Sequence, residues 1–307
     1  MFFILLLIVV DRATGALLNY LYFRHEPVVG PSTTYVANYC NQELLVMGSS
    51  HAHHHYISNE LADSTKLSCF NAGADGYYML YSYAMLKCVL KRYTPKIILL
   101  DIRPDEFNID PLNYDRLSIL LPYNEQHPEI HSILVQRSNF ENIKLLSKTY
   151  PFNSQIMSII NRNIYKNKNE FKATGELGFD ALSDTVHIDK KIKQAEYYEN
   201  RGIDSNYVNA YRSFIKDCLN RHIKLCIFIS PVLPEIRIKI RSAQIASKIA
   251  ATFHVPFFDY SNAGSFKTPV YFNDLEHLNI NGARLFTGMV IKDIGVDSGQ
   301  NSSKQRD

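Results

Sequence analysis

Short apolar runs separated by helix-compatible stretches organise most of this chain. Five runs have strand length: Glu43–Met47, Leu67–Asn71, Lys96–Ile102, Lys224–Ser230 and Val255–Tyr260. Each is apolar on both faces, the pattern of a strand covered by helices on either side, as in a parallel sheet. Between the second and third runs, Met79, Tyr83, Leu86, Leu90 and Tyr93 recur at alternating steps of four and three. They mark one face of a helix over Tyr77–Tyr93. Lys87, Lys91 and Arg92 mark its other face, and Pro95 ends it. Leu233–Phe253 predicts a second helix, with Ile238, Ile245, Ile249 and Phe253 on one side. Asn279 or Asn281 can cap a last helix that turns Ala283, Phe286 and Val290 inward. Strands alternating with helices predict an α/β fold with a doubly wound sheet. Sites in such sheets form at the C-terminal ends of the strands. Ser50, Asn71–Gly76, Arg103–Phe107 and Ser230–Pro231 fall at or just after those ends, so the pattern collects them on one edge.

Three regions depart from the alternation. Residues 103–195 are polar, rich in Asn, Lys and Tyr, and carry Pro111, Pro122, Pro128 and Pro151. This stretch reads as an insertion over the sheet edge with helices such as Asn139–Lys148 and Ser154–Lys166, building a substrate pocket or a partner surface. The tail 297–307 is polar and reads as disordered. The N-terminal run Phe2–Val10 is continuously apolar, Asp11 and Arg12 interrupt it, and Ala13–Phe23 is moderately apolar. A spanning helix needs roughly 20 mostly apolar residues. A membrane anchor, a cleaved signal peptide and a buried helix all fit, and the anchor is the favoured reading for residues 1–23. No Lys or Arg precedes the run, so the expectation is a natural start upstream of Met1, and the basic residues do not orient the segment. A linker over 24–41 with Pro27, Gly30 and Pro31 then leads into an α/β domain over 42–296.

Composition changes this picture little. With 307 residues, 46% hydrophobic, a large buried core is available. A net charge of +3 gives no electrostatic footprint for nucleic acid. Tyr (20) and Phe (17) are abundant while Trp is absent; most of these rings are expected to pack. Cys40, Cys69, Cys88, Cys218 and Cys226 form no C-x-x-C pair, which argues against a zinc or dithiol site and for buried, inert thiols.

Candidate chemistry sits at the first strand end. Leu44–Met47 runs into Gly48-Ser49-Ser50-His51, a strand, a sharp turn and a helix-compatible stretch. That arrangement can expose a nucleophilic hydroxyl, although Gly-Ser turns are common in their own right. Far downstream, Asp274 and His277 lie three residues apart just before the last helix. A serine needs a base, and an imidazole base needs a carboxylate to hold its tautomer. Ser50 as nucleophile, His277 as base and Asp274 as orienting group would complete that set. His51, His53, His54 and His55 invite a metal reading, since His51 and His55 have i, i+4 spacing. No carboxylate pair is close in sequence, so lining the site mouth or capping the helix is preferred, and no metal or other cofactor is expected. Asp101, Asp105 and Glu106 could bind substrate hydroxyls or form a solvated strand end.

Together, Gly48-Ser49-Ser50, Asn71-Ala72-Gly73 and Asp274-Leu275-Glu276-His277 resemble the sequence blocks of the SGNH, or GDSL-like, hydrolase superfamily. Gly-Ser-Ser-His-Ala and Asp-x-x-His-Leu-Asn-x-x-Gly-Ala look closest to membrane-anchored proteins of bacterial envelopes, including those concerned with acylation of alginate or teichoic acid. The resemblance covers about residues 40–110 and 222–293. It implies a three-layer α/β/α sandwich with a mainly parallel, flavodoxin-like five-stranded sheet. It also implies a Ser50–His277–Asp274 triad and an oxyanion hole from the Ser50 and Gly73 backbone. Asn71, Gly76, His51 and Arg103 are candidates for substrate binding. Two positions depart from the pattern. Ser49 stands where aspartate is usual, and Asp101-Ile102-Arg103-Pro104-Asp105-Glu106 lacks the oxyanion asparagine of the third block. The implied function is an esterase or O-acyltransferase acting on acyl, especially acetyl, esters of envelope or secreted carbohydrate, with the domain on the extracytoplasmic side. The alternative is a weak or inactive scaffold in a polysaccharide assembly, working with envelope assembly proteins.

Overall fold

A computed structural model describes residues 2–24, 33–165, 176–185, 202–233 and 241–295. Ile238, the 297–307 tail and parts of the linker and insertion lie outside the described residues. The chain begins with helices α1 (Phe2–Phe23) and α2 (Thr33–Asn38). Then come β1 (Leu44–Met47), α3 (Ser50–His55), α4 (Ser58–Thr65), β2 (Cys69–Asn71), α5 (Met79–Arg92) and β3 (Ile97–Asp101). Short helices α6 (Pro111–Arg116), α7 (His131–Leu134), α8 (Glu141–Lys144) and α9 (Ile156–Ile160) alternate with 3-10 turns. The chain returns to the sheet through α10 (Ser205–Asn220), β4 (Lys224–Ile229), α11 (Arg241–Thr252), β5 (Phe257–Asp259) and α12 (Ile280–Asp293).

All five strands pair in parallel, in the order β2-β1-β3-β4-β5. This is the flavodoxin-like order expected from the sequence. Its strand order reverses beside β1, where open α/β sheets place their sites. Side chains alternate across the sheet. Leu45, Met47, Ile98, Leu100, Leu225 and Ile227 pack with α5, α10 and α11. Leu44, Val46, Leu99, Cys226 and Phe228 pack with Leu61 of α4 and with Phe286 and Val290 of α12. Each strand is therefore covered on both faces, which is why none shows a polar alternation. All five cysteines are buried free thiols.

Several elements differ from the sequence reading, each for a local reason. The face assigned to Tyr77–Tyr93 is too narrow, because α5 also buries Leu80, Tyr81, Ala84, Met85, Cys88 and Val89. Tyr83 and Tyr93 are only half-buried. The helix is wedged between the sheet, α2 and α10. Arg92 donates to the carbonyls of Val36 and Cys40, and the Tyr83 hydroxyl donates to Asp217. Thr33–Asn38, read as linker, is helical and buries Val36 and Ala37. The helix expected over Asn139–Lys148 shrinks to Glu141–Lys144. The N–H groups of Lys148 and Thr149 donate to the Asp11 carboxylate instead of to a helical carbonyl. The helix expected over Ser154–Lys166 covers Ile156–Ile160 and ends in a π-turn at Asn161–Tyr165. Lys166 lies outside the described residues.

Helix α1 is long and apolar enough to cross a membrane, a property shared by anchors and signal sequences. It buries only Gly15 and Tyr22, so it is not a core helix.

Candidate active site

The first strand hands over to α3 through a turn that only glycine fits. Gly48 has φ +148°, and a Cβ there would lie 2.4 Å from the Asp101 carbonyl oxygen of the neighbouring strand β3. The chain can thus reverse within Gly48-Ser49 and start α3 at Ser50. Asn279, the N-cap of α12, accepts from the N–H groups of Asn281 and Gly282. This fixes the segment just before α12 over the same strand end.

That segment carries the second half of the site. The Ser50 hydroxyl donates to His277 Nε2 at 2.8 Å. The other ring nitrogen, Nδ1, donates to Asp274, 3.0 Å from Oδ1 and 2.9 Å from Oδ2. Asp274 Oδ1 also accepts the backbone N–H groups of Glu276 and His277, both at 2.8 Å. The D-x-x-H spacing closes on itself as a turn that carries its own orienting carboxylate. Partial burial pushes the Asp274 carboxyl up. The His277 hydrogen bond and charge, with the two backbone donors, outweigh it and hold the group well below the usual carboxylate range. Asp274 is therefore an anion at neutral pH, and its bond to Nδ1 leaves the Nε2 lone pair facing Ser50. This arrangement can remove a proton from Ser50 and return it to a leaving group.

Two further contacts hold the turn. Arg103, just past β3, donates from Nη1 to Glu276 Oε2 at 3.0 Å and from Nε to Asp105 at 3.0 Å. Its guanidinium lies over the Tyr78 ring, 5.7 Å from the centroid. Arg103 thus braces the D-x-x-H turn through Glu276. His55 accepts the Leu278 N–H on Nε2 at 2.9 Å, and its Nδ1 donates to Ser230 Oγ at 2.9 Å. Both nitrogens of His55 are occupied, so the i, i+4 pair with His51 is no chelate. The two rings stack with centroids 4.9 Å apart. Burial holds both His51 and His55 well below the ordinary imidazole range, so they are neutral neighbours of His277.

Other residues singled out in the sequence stand behind the site. His51 is fully buried. The Asn71 side chain donates to the Ala52 and Tyr56 carbonyls at 2.6 and 3.1 Å, fastening β2 to α3. Asn71 Oδ1 accepts the Gly73 N–H at 2.9 Å, so Gly73 can serve an oxyanion only by giving up that bond. A Cβ on Gly73 would lie 2.3 Å from His53 N, which explains the glycine by close approach to α3. The Gly76 carbonyl accepts from Arg116 Nη1 at 2.7 Å. Asp101 and Glu106 are buried: Asp101 accepts the Tyr56 hydroxyl at 2.6 Å, and Glu106 the Arg103 N–H at 3.0 Å. Neither forms a solvated strand end, because each satisfies groups inside the fold.

The sequence reading missed the pairing of His53 and His54 with Asp75. Asp75 Oδ1 lies 2.8 Å from His53 Nδ1 and 3.3 Å from His54 Nε2. His54 Nδ1 donates to the Asp180 carbonyl at 2.8 Å. Burial pushes His54 down, but Asp75 and Asp180 outweigh it and raise the group above the ordinary imidazole value. The His54 ring lies edge-on to His277 with centroids 5.6 Å apart. The donor atoms of His53, His54 and Asp75 are close enough to hold a metal ion. They are equally complete as an ion pair. Asp180 belongs to a strap from the insertion, which also accepts from Ser58 at the Leu177 carbonyl and from Ile280 at the Leu182 carbonyl.

Known proteins offer little to compare. No protein-family profile matches the chain, and no curated protein does. A crystal structure from Bacteroides fragilis NCTC 9343, described as a "putative acylhydrolase", is similar over 82% of this chain and 85% of that one. The identity is 13% and the TM-score 0.37. Likeness at that level carries no chemistry, so the functional reading rests on the side chains.

Proposed function

We propose that the protein is a serine-dependent ester hydrolase or O-acyltransferase. The observation that carries this reading is the unbroken relay from Ser50 Oγ through His277 to Asp274, at 2.8 Å and then 2.9–3.0 Å. Ser50 Oγ attacks the ester carbonyl carbon while its proton moves to His277 Nε2. The tetrahedral intermediate collapses, the ester C–O bond breaks, and His277 gives the proton to the departing alkoxide. An acyl group is left on Ser50. A water or a sugar hydroxyl then loses its proton to His277 and attacks that acyl group; the Ser50 Oγ–acyl bond breaks, and His277 Nε2 returns the proton to Ser50 Oγ. Water gives a free acid, and a sugar gives a new ester. Asp274 stabilises the imidazolium at both stages.

The resemblance to envelope SGNH-like proteins, with an apolar α1, favours acyl esters of envelope or secreted carbohydrate as substrates. It also favours attachment of the domain to the extracytoplasmic face of a membrane. Purified protein is expected to turn over p-nitrophenyl acetate, and Ser50→Ala to lose that turnover. Equal turnover by both would contradict the proposal. A second reading, a catalytically weak scaffold, draws on two observations. The Gly73 N–H is already bonded to Asn71, and the oxyanion asparagine is missing. Loss of one such donor elsewhere costs about 10²–10³ in rate.

A further inference from the structure

The apolar half of α1 leaves the body of the protein beside a second exposed apolar group. Every side chain from Phe2 to Val10 is exposed. The next residue, Asp11, is bound into the body. Its carboxylate accepts the N–H groups of Lys148 and Thr149 at 2.9 and 3.2 Å, and the hydroxyls of Ser147 and Thr149 at 2.5 and 2.9 Å. Arg12 Nη1 donates to the Leu146 carbonyl at 2.9 Å. No spacer separates the exposed stretch from the body. Wherever Phe2–Val10 go, the segment around Leu146 goes with them.

That segment is itself apolar on its outer side. Phe140 is 65% exposed, Ile143 64% and Leu146 68%. Scattered surface apolar residues need no explanation, but a group of this size against a further apolar helix marks an interaction surface. The side chains do not hang from a loose loop. Glu141, fully buried between them, accepts from Ser138 Oγ at 2.9 Å and from the Tyr150 hydroxyl at 2.6 Å, and pairs with Arg137. Arg12, Lys144 and Lys148 border the patch with half-exposed side chains. Each already pairs with an acidic group, Arg12 with Asp11, Lys144 with Glu141 and Lys148 with Glu125. Long basic side chains at the rim of an apolar patch can lay their stems on hydrocarbon and reach lipid phosphates.

We infer that the Phe140–Leu146 segment enters the surface of an anionic bilayer beside α1. Phe140, Ile143 and Leu146 lie among the acyl chains, and Arg12, Lys144 and Lys148 lie at the phosphates. This rests on the anchor reading of α1, here carried by Phe2–Val10 alone, about 14 Å of helix that enters one leaflet without crossing the bilayer. It adds that the body is seated in the membrane surface rather than tethered above it.

The absence of tryptophan from the chain makes the test clean, since one substitution supplies a sole emitter. Full-length Val9→Trp, Leu146→Trp and Val270→Trp proteins are reconstituted in phosphatidylglycerol–phosphatidylethanolamine vesicles, with and without brominated acyl chains. All three positions are exposed, so the fold should tolerate the change. Val270 is the control: its neighbour Tyr271 packs on the α12 face of the sheet, whereas α1 reaches the opposite core through Tyr22. Several-fold stronger bromolipid quenching at both Val9→Trp and Leu146→Trp than at Val270→Trp is the expected result. Quenching at Val9→Trp, with Leu146→Trp no more quenched than the control, would overturn the inference and leave the anchor standing. Absence of quenching at Val9→Trp would overturn the anchor and the inference with it. Exchange of phosphatidylglycerol for phosphatidylcholine should weaken Leu146→Trp quenching; undiminished quenching would remove the role given to the three cations.

Discussion

Arg103 and Glu276 join the end of β3 to the turn before α12: the guanidinium donates to the carboxylate of the residue preceding His277, at 3.0 Å. The base of the relay is therefore held through its neighbour. Its position depends on a residue 173 places before that neighbour in the chain. Arg103→Met should leave Ser50 present but let the D-x-x-H turn drift. Misplacement of about 1 Å can cost 10²-fold in rate. A fall in kcat of about that size is expected, with KM for a small ester nearly unchanged. Arg103→Lys should recover part of the loss, because one charged donor remains. A change confined to KM would point to substrate contact instead.

Asp101 makes stability depend on pH. Burial pushes its carboxyl up to about 7 from the ordinary 3.8, and Glu106 is pushed by burial up to about 8. A carboxyl raised in the folded state binds its proton more tightly there than in the unfolded chain. Its contribution is full below about pH 4 and is lost as pH rises through the folded value. Asp101→Asn keeps an acceptor for the Tyr56 hydroxyl and cannot ionise. The unfolding temperature of the wild type should fall between about pH 4 and 7 more steeply than that of Asp101→Asn. Parallel profiles would contradict this reading of Asp101.

Asp75 sets the protonation of His54. The carboxylate, with Asp180, outweighs burial and raises the imidazole above its ordinary value. Asp75→Asn should therefore lower the His54 titration midpoint seen by NMR. An unchanged midpoint would show that the pair does not form.

Gly73 is expected to tolerate no side chain. Its Cβ would meet backbone, His53 N, and not a flexible side-chain end. Gly73→Ala should destabilise by about 1–3 kcal/mol or more, the usual cost of overpacking. Chemical denaturation measures this, and a loss under about 0.5 kcal/mol would contradict it.

The sheet and the Ser50–His277–Asp274 set were legible because each has a local signature. Apolar runs such as Leu44–Met47 mark strands buried on both faces, and Asp274 and His277 close a turn within four residues. What escaped either follows a misleading stretch or joins residues far apart in the chain. Helix α10 buries Tyr207, Ala210, Tyr211, Phe214, Ile215 and Cys218 at helical spacing, yet it follows a long polar stretch that drew the reading away from it. The partners of His53, His54 and His55 are Asp75, Asp180 and Ser230, between 22 and 175 residues distant, and only the fold brings them together. The same holds for Asp11, whose place beside Ser147–Thr149 ends a helix the sequence alone would continue.

Ser50 activated by His277 should be open to a serine-directed covalent reagent. Intact-mass and peptide mass spectrometry after treatment with a fluorophosphonate tests it most directly. A single covalent adduct is expected on the peptide carrying Ser50, absent from Ser50→Ala and strongly reduced in His277→Ala. No adduct on the wild type, or an equal adduct on Ser50→Ala, would contradict it.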